Sequence, residues 1–356
     1  MAKKLMKGCE AIAEAAIQAG CRYFFGYPIT PQNDIPEYMS LRLPQVGGCF
    51  LQAESELAAI NMVYGAGGAG ARAMTSSSSP GISLKQEGIS TCAAAEVPCV
   101  IVNMMRGGPG LGNIQASQGD YFQAVKGGGH GDYRCVVYAP SSIQETVDMM
   151  PKAFDTADKY RIPVIILADG LIGQMMEPVE LHMNPNPTLP EKPWACQGYD
   201  PKGDRPRAVI NSLYIETEIL DDLMTRLNAR YDAIRANEVM VETYKTEGAE
   251  FVLCAYGTVA RVCKAAVRIL EENGIKCGLV RPITLWPFPT KDVHDVITQP
   301  SVQGALTVEI SNGQMVEDIR LAVNGEKPVE FMGKGGSIIP TAEEIADRVM
   351  KIMRRA

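Results

Sequence analysis

Apolar positions along the first half of the chain follow two periods in turn. Residues 8–20 carry them at helical spacing through Ile12, Ala16 and Ile17, and stop at Gly20, a residue suited to ending a helix. Between such stretches, short apolar runs predict strands at 23–26, 49–52, 71–75, 98–104, 135–139 and 164–168. Several do not alternate, Val97-Pro98-Cys99-Val100-Ile101-Val102 above all, which is the pattern of parallel strands covered on both faces. Ser141-Ser142-Ile143-Gln144-Glu145 supplies capping residues for a helix that runs to about Tyr160. Helix and strand in alternation predict a doubly wound α/β domain.

The pattern changes over 177–207, which is rich in proline and lacks periodicity, as a linker or surface wrap does. A long helix is expected over 211–246, where Leu213, Leu220, Leu227, Ile234 and Val241 recur every seven residues with Met224 and Tyr231 between them. So short a stripe suits packing within the chain better than an independent coiled coil; a subunit contact is the alternative. A second α/β unit follows, with strands near 251–256, 276–280, 304–309 and 330–332 and helices over 259–273, 314–323 and 341–353. The chain therefore divides at 1–180, 181–248 and 249–356. Gly257-Thr258-Val259, at a strand-to-helix turn, reads either as an anion site at a helix N-terminus or as a tight turn with a threonine cap.

Composition narrows the picture. A chain of 356 residues suggests two domains, and a net charge of −7 argues against nucleic acid as a partner. No stretch approaches the roughly 20 apolar residues that span a bilayer. The basic residues within 1–7 precede no apolar core of the length a secretion signal needs, so a cytoplasmic setting is expected. The ten cysteines include no C-x-x-C pair, and several fall in apolar strands, so the chain itself is expected to hold no metal or cluster.

Candidate chemistry gathers at predicted strand ends, where α/β folds place their ligands. Strand 21–26 breaks into Gly26-Tyr27-Pro28-Ile29-Thr30-Pro31, because both prolines forbid further regular pairing. Glu54 and Glu56 open the strongly apolar helix 57–66; a carboxylate walled by such residues suits proton transfer, and one at a helix start is also simply dipole-favoured. Arg106 ends the apolar run 99–105, where a guanidinium suits either solvent or a carboxylate gripped in two-pronged fashion. The serine run 76–79 lacks a histidine placed to activate a nucleophile and reads as a loop. Gly65-x-Gly67-x-x-Gly70 follows a helix rather than a strand, so a dinucleotide fingerprint is rejected.

In this order, Gly26–Pro31 and Glu54–Ile60 resemble the alpha-type subunit of 2-oxoacid:ferredoxin oxidoreductases, which are thiamine diphosphate enzymes. The resemblance extends through Gly65 to Thr75, Ser79-Pro80-Gly81-Ile82-Ser83-Leu84, Gln86-Glu87-Gly88-Ile89-Ser90, Arg106-Gly107-Gly108-Pro109, Ser117-Gln118-Gly119-Asp120 and His130-Gly131-Asp132. In length and wording the chain is most similar to the branched-chain (2-oxoisovalerate) enzymes. The resemblance implies a pyrimidine-type thiamine-binding domain followed by a transketolase C-terminal-like α/β domain. It implies oxidative decarboxylation of a 2-oxo acid with coenzyme A, giving an acyl-CoA, carbon dioxide and reduced ferredoxin. Glu56, nine residues before Gly65, takes the place of the glutamate that acts on the cofactor ring nitrogen N1′. Thr30 would contact substrate and cofactor, Arg106 the substrate carboxylate, and Tyr27, Pro28 and Ile29 the cofactor. No Gly-Asp-Gly run followed by asparagine is present, so magnesium, the diphosphate and the iron–sulfur clusters are expected on partners: a beta-type thiamine diphosphate-binding subunit, a gamma-type subunit and a ferredoxin-like subunit. A 2-oxoglutarate or pyruvate enzyme, or a non-catalytic assembly subunit, are the alternatives. One departure stands out: Ser79 occupies the first glycine of the family's Thr-Ser-Gly-Pro-Gly, which leaves the local backbone shape open. The resemblance gives His130 no role beyond shaping a loop.

Overall fold

The computed structural model describes residues 3–182, 184, 187–198, 203 and 205–354. In chain order its strands are β1 (Lys4–Lys7), β2 (Tyr23–Gly26), β3 (Cys49–Gln52), β4 (Ala73–Ser77), β5 (Cys99–Met105), β6 (Val136–Tyr138), β7 (Pro163–Asp169), β8 (Met176–Val179), β9 (Val241–Tyr244), β10 (Phe251–Cys254), β11 (Cys277–Pro282), β12 (Thr284–Trp286), β13 (Ala305–Glu309) and β14 (Val329–Gly333). The α-helices are α1 (Gly8–Gln18), α2 (Asp34–Arg42), α3 (Glu56–Gly68), α4 (Ser79–Ala94), α5 (Tyr121–Val125), α6 (Ile143–Tyr160), α7 (Gly170–Gln174), α8 (Thr217–Asn237), α9 (Gly257–Glu272), α10 (Thr290–Ile297), α11 (Met315–Val323) and α12 (Ala342–Met353).

A seven-stranded sheet runs β12-β6-β7-β5-β4-β2-β3, parallel except for the antiparallel edge strand β12. β5 and β7 at its centre are buried along their whole length, as apolar runs interrupted only by Asn103 and ended by Asp169 require. A five-stranded sheet, β14-β13-β10-β11-β9, carries the second unit. The two units exchange strands. β9 lies ahead of the boundary expected at 249 yet pairs with β11, while β12, far along the chain, pairs with β6. Arg281, buried at the end of β11, fastens this crossing: it donates to both carboxylate oxygens of Glu145 (3.0 and 2.7 Å) and to Glu242 (2.6 Å). A buried arginine is tolerated here because its donors meet carboxylates in fork geometry.

Two expectations give way. The long helix over 211–246 is shorter, Thr217–Asn237. Ahead of it, Asn211 bonds the backbone of Leu213 through both side-chain atoms (2.6 and 3.0 Å), a local arrangement that competes with helix, and Leu213 is 67% exposed. Behind it, Glu238 is held by Lys152 (2.8 Å), Lys159 (3.1 Å) and Tyr160 (2.9 Å), and Val241 enters β9. The helix buries Leu223, Leu227, Tyr231 and Ile234, so its packing face is intrachain. The serine run is no loop either: Ser76 and Ser77 end β4, Ser78 holds the N-cap position without a side-chain bond, and Ser79 begins α4.

Candidate functional site at the carboxyl edge of the parallel sheet

β3, β2, β4, β5 and β7 run parallel and therefore end on one edge. Beyond β2 the segment Tyr27–Pro31 crosses that edge. Gln32 anchors it: its side chain donates to the Tyr27 carbonyl (3.2 Å), its N–H to Ile29 (3.1 Å), and its carbonyl oxygen Oε1 accepts from Ser76 of β4. Pro28 and Thr30 stand exposed while Tyr27 and Ile29 are half-buried.

The two glutamates separate at the start of α3. Ser55, in extended conformation, caps the helix by accepting from Ala58 N–H (3.2 Å). Glu54 is exposed and accepts from Ser55 Oγ (3.1 Å). Glu56, 6% exposed, lies across Gly81 of α4. A Cβ at position 81 would stand 2.7 Å from Glu56 Oε1 and 2.1 Å from Ser77 Oγ, so only glycine admits this arrangement. Among the described residues, no hydrogen bond reaches the Glu56 carboxylate. The Ser77 hydroxyl, on the other side of Gly81, and that of the next residue, Ser78, are buried without partners. A buried polar group left unpaired costs about 1–3 kcal/mol, so this wall suits a ligand bearing its own donors and acceptors.

Arg106 is buried rather than solvated. It donates from Nη1 to the Thr30 carbonyl (2.8 Å) and from Nη2 to the Leu111 carbonyl (3.0 Å), while its Nε–H has no partner. Thr30 and Arg106 are thus brought together. The glycine-rich loop that Leu111 belongs to doubles back at Gly112, whose φ of +57° and close approach to the Gly107 carbonyl exclude a side chain.

Two contributors, Lys85 and Asp120, were given no role from the sequence, and Ser79 gains one. Lys85 of α4 is fully buried; its ammonium donates to the Glu56 carbonyl (3.2 Å) and to Thr75 Oγ1 (3.1 Å). Burial pushes it down to about 8, with the Glu56 carboxylate lifting it partly back. Asp120 accepts from Ser79 Oγ (2.6 Å) and Asn103 Nδ2 (2.9 Å), and burial pushes its carboxyl up against those two bonds. Ser79 takes no left-handed φ, and its hydroxyl also accepts the Arg106 N–H (3.0 Å). The serine that replaces a family glycine therefore fastens Arg106. Lys85 was hidden because a lone lysine in a helix ordinarily faces water; its one signal is that it lies two residues from both Ser83 and Glu87, off the exposed polar stripe of α4.

Ser117 and Gln118 join the edge to the second unit: Gln118 donates to the Tyr256 carbonyl (2.9 Å) and accepts from Ile310 N–H (3.0 Å). A cleft of about 430 Å³ opens between the units, lined by Thr30, Pro31, Ile114, Leu171, Ser337 and Ile339 among others. The N-terminus of α9 faces a carboxyl of the chain itself, Asp169, which burial pushes up while Thr258 pulls it back. His130 lies on an exposed turn. Among the described residues, no cluster of three or more His, Cys, Asp or Glu is placed to hold a metal, and no helix is long and apolar enough to cross a membrane.

A family model described as pyruvate flavodoxin/ferredoxin oxidoreductase, thiamine diphosphate-binding, matches residues 14–243. The chain belongs to this family. Residues 249–345 match the pyruvate:ferredoxin oxidoreductase core domain II. The chain is 48% identical to ketoisovalerate oxidoreductase subunit VorB of Methanothermobacter marburgensis, over 99% of this chain and 97% of that protein. It is 36% identical to 2-oxoglutarate synthase subunit KorA of Methanocaldococcus jannaschii, over 98% and 100%. Among solved structures, a 2-oxoglutarate:ferredoxin oxidoreductase from Magnetococcus marinus, with 2-oxoglutarate, coenzyme A and succinyl-CoA bound, superposes with a TM-score of 0.85 at 25% identity. That likeness covers 98% of this chain, which spans 65% of the solved one. An inactive tetramer of a split-gene transketolase, 13% identical, shares the fold at a TM-score of 0.59 over 98% of each chain. The α/β fold with a thiamine diphosphate-binding domain that the sequence predicts is that of this family.

Proposed function

We propose that this chain is the pyrimidine-binding, alpha-type subunit of a heteromeric, cytoplasmic 2-oxoacid:ferredoxin oxidoreductase that converts a branched-chain 2-oxo acid and coenzyme A to acyl-CoA and carbon dioxide, reducing ferredoxin. The observation that carries this reading is the unbonded carboxylate of the buried Glu56 over Gly81, next to the orphan hydroxyl of Ser77. Those groups fit the polar edge of an aminopyrimidine. Bound thiamine diphosphate supplies a carbon nucleophile and electron sink for decarboxylation.

The chain's own residues divide the remaining work. Glu56 holds a proton at the ring nitrogen N1′. The backbone of Tyr27, Pro28 and Ile29, pinned by Gln32, forms one wall of the cofactor site. Thr30 turns its exposed hydroxyl toward substrate. Arg106, with Nε–H free and two donors committed to carbonyls, offers its remaining N–H groups to the substrate carboxylate. Magnesium, the diphosphate and the clusters belong to beta-type, gamma-type and ferredoxin-like partners. The branched-chain preference rests on the VorB relatives, and an activity screen of the purified complex across 2-oxo acids tests it. A complex that prefers 2-oxoglutarate or pyruvate overturns it.

Two further results are expected. Purified alone, the chain is colourless and binds thiamine diphosphate poorly; adding the beta-type partner creates tight binding, because a completed site loses less entropy per contact. Titration calorimetry and iron analysis check this, and stoichiometric iron and sulfide in the lone chain contradict it. Gly81→Ala pushes Glu56 and Ser77 apart, an overpacking that costs about 1–3 kcal/mol, read as a roughly 5–150-fold rise in the cofactor Kd of the complex.

A further inference from the structure

Among the described residues Lys85 is the only fully buried lysine, and no carboxylate lies within ion-pair distance of it. Burying an ammonium unpaired is costly, so a helix that needed only packing would carry an apolar residue there. The position it occupies is specific. Its ammonium lies beneath the first residue of α3, bonded to the Glu56 carbonyl and to Thr75 of β4, so it clamps the glutamate-bearing helix start to the adjacent strand. Four residues earlier on the same helix, Gly81 makes room for the Glu56 side chain. One helix thus supports Glu56 on two sides.

We propose that Lys85 is a positioning residue: it fixes the Glu56 backbone at the β4–α3 junction and sets a positive charge behind the carboxylate, so that Glu56 meets the ring nitrogen of the cofactor at productive distance. This rests on the reading of Glu56 given above. The charge is conditional. Glu56 is the charged group that acts on Lys85, while α3 and β4 otherwise offer it the Glu56 carbonyl and the Thr75 hydroxyl. With its folded value near 8 and an unfolded value of ~10.4, the unfolded chain binds more protons in that window, so stability contributed by this group rises with pH from about 8 to ~10.4.

Two experiments test this. In the reconstituted complex, hydrogen–deuterium exchange at cofactor C2 is measured for K85M, K85R, E56Q and the K85M/E56Q double variant. K85M is expected to slow exchange about 10–10²-fold, the scale of an angstrom-level misplacement, with K85R recovering part of it and the double variant no slower than E56Q alone. In wild type the exchange carries an alkaline limb near pH 8 that K85M lacks. Wild-type exchange in K85M with slow exchange in E56Q overturns the role of Lys85 alone; wild-type exchange in E56Q overturns the Glu56 reading instead. The second readout needs no cofactor. Denaturant unfolding of the full chain from pH 7 to ~10.4 is expected to show stability rising in wild type relative to K85M, and E56Q is expected to bring that rise to lower pH because Glu56 helps hold the proton. If K85M does not fold, K85R and E56Q still give both readouts. A rise that E56Q leaves unmoved shows that Lys85 does not sense Glu56, and overturns the proposal.

Discussion

Glu56→Gln is expected to slow deprotonation of cofactor C2 in the assembled complex by roughly 10²–10⁴-fold, the usual scale of acid–base assistance and about 3–5 kcal/mol in the barrier. Glutamine keeps the size and polarity of the side chain but gives up the carboxylate that holds a proton at N1′. Packing over Gly81 survives, so folding and cofactor affinity should change far less than the exchange rate. Glu54→Gln is the control. Its side chain is exposed and engaged with Ser55, away from Gly81 and Ser77, so exchange there should stay within about 3-fold of wild type. Hydrogen–deuterium exchange followed by proton NMR of quenched cofactor reads both. The reverse ranking moves the assignment to Glu54, and equal small effects leave two carboxylates that merely favour a helix start.

The difference between those two glutamates shows where sequence reasoning reaches its limit. The strand ends were legible, because β5 and β7 are largely apolar runs and the prolines after Gly26 stop regular pairing. Both carboxylates therefore fell at the right corner. Which one turns inward depends on the cap at Ser55 and on a glycine 25 residues further on, a contact that no local pattern contains. The Ser79–Asp120–Asn103 cluster was hidden for the same reason: its members come from a helix start, a loop and a strand. α8 failed differently. Leu213 and Val241 continue a seven-residue repeat, but one faces solvent and the other pairs in a sheet. Periodicity reports a face that could be buried; tertiary partners decide whether it is.

Arg106→Ala in the complex is expected to lower kcat/KM for the 2-oxo acid by about 2–4 kcal/mol, roughly 30- to 1,000-fold, the cost of removing a charge-assisted pair from a desolvated site. Two losses combine in that figure. The substrate carboxylate loses its counter-charge, and the carbonyls of Thr30 and Leu111 lose the donors that draw their loops together. Arg106→Lys separates them: it keeps the charge but not the fork, so KM should rise while cofactor affinity stays unchanged. Ser79→Gly probes the same residue from behind. It removes the hydroxyl that accepts the Arg106 N–H and donates to Asp120, leaving the guanidinium chemistry intact, and should raise KM by less than Arg106→Lys does. Steady-state kinetics with cofactor saturating resolve the series. If Arg106→Ala retains full kcat/KM, the carboxylate is held elsewhere on this edge, and the buried arginine serves only to hold the loop between Gly107 and Gln115 against Thr30.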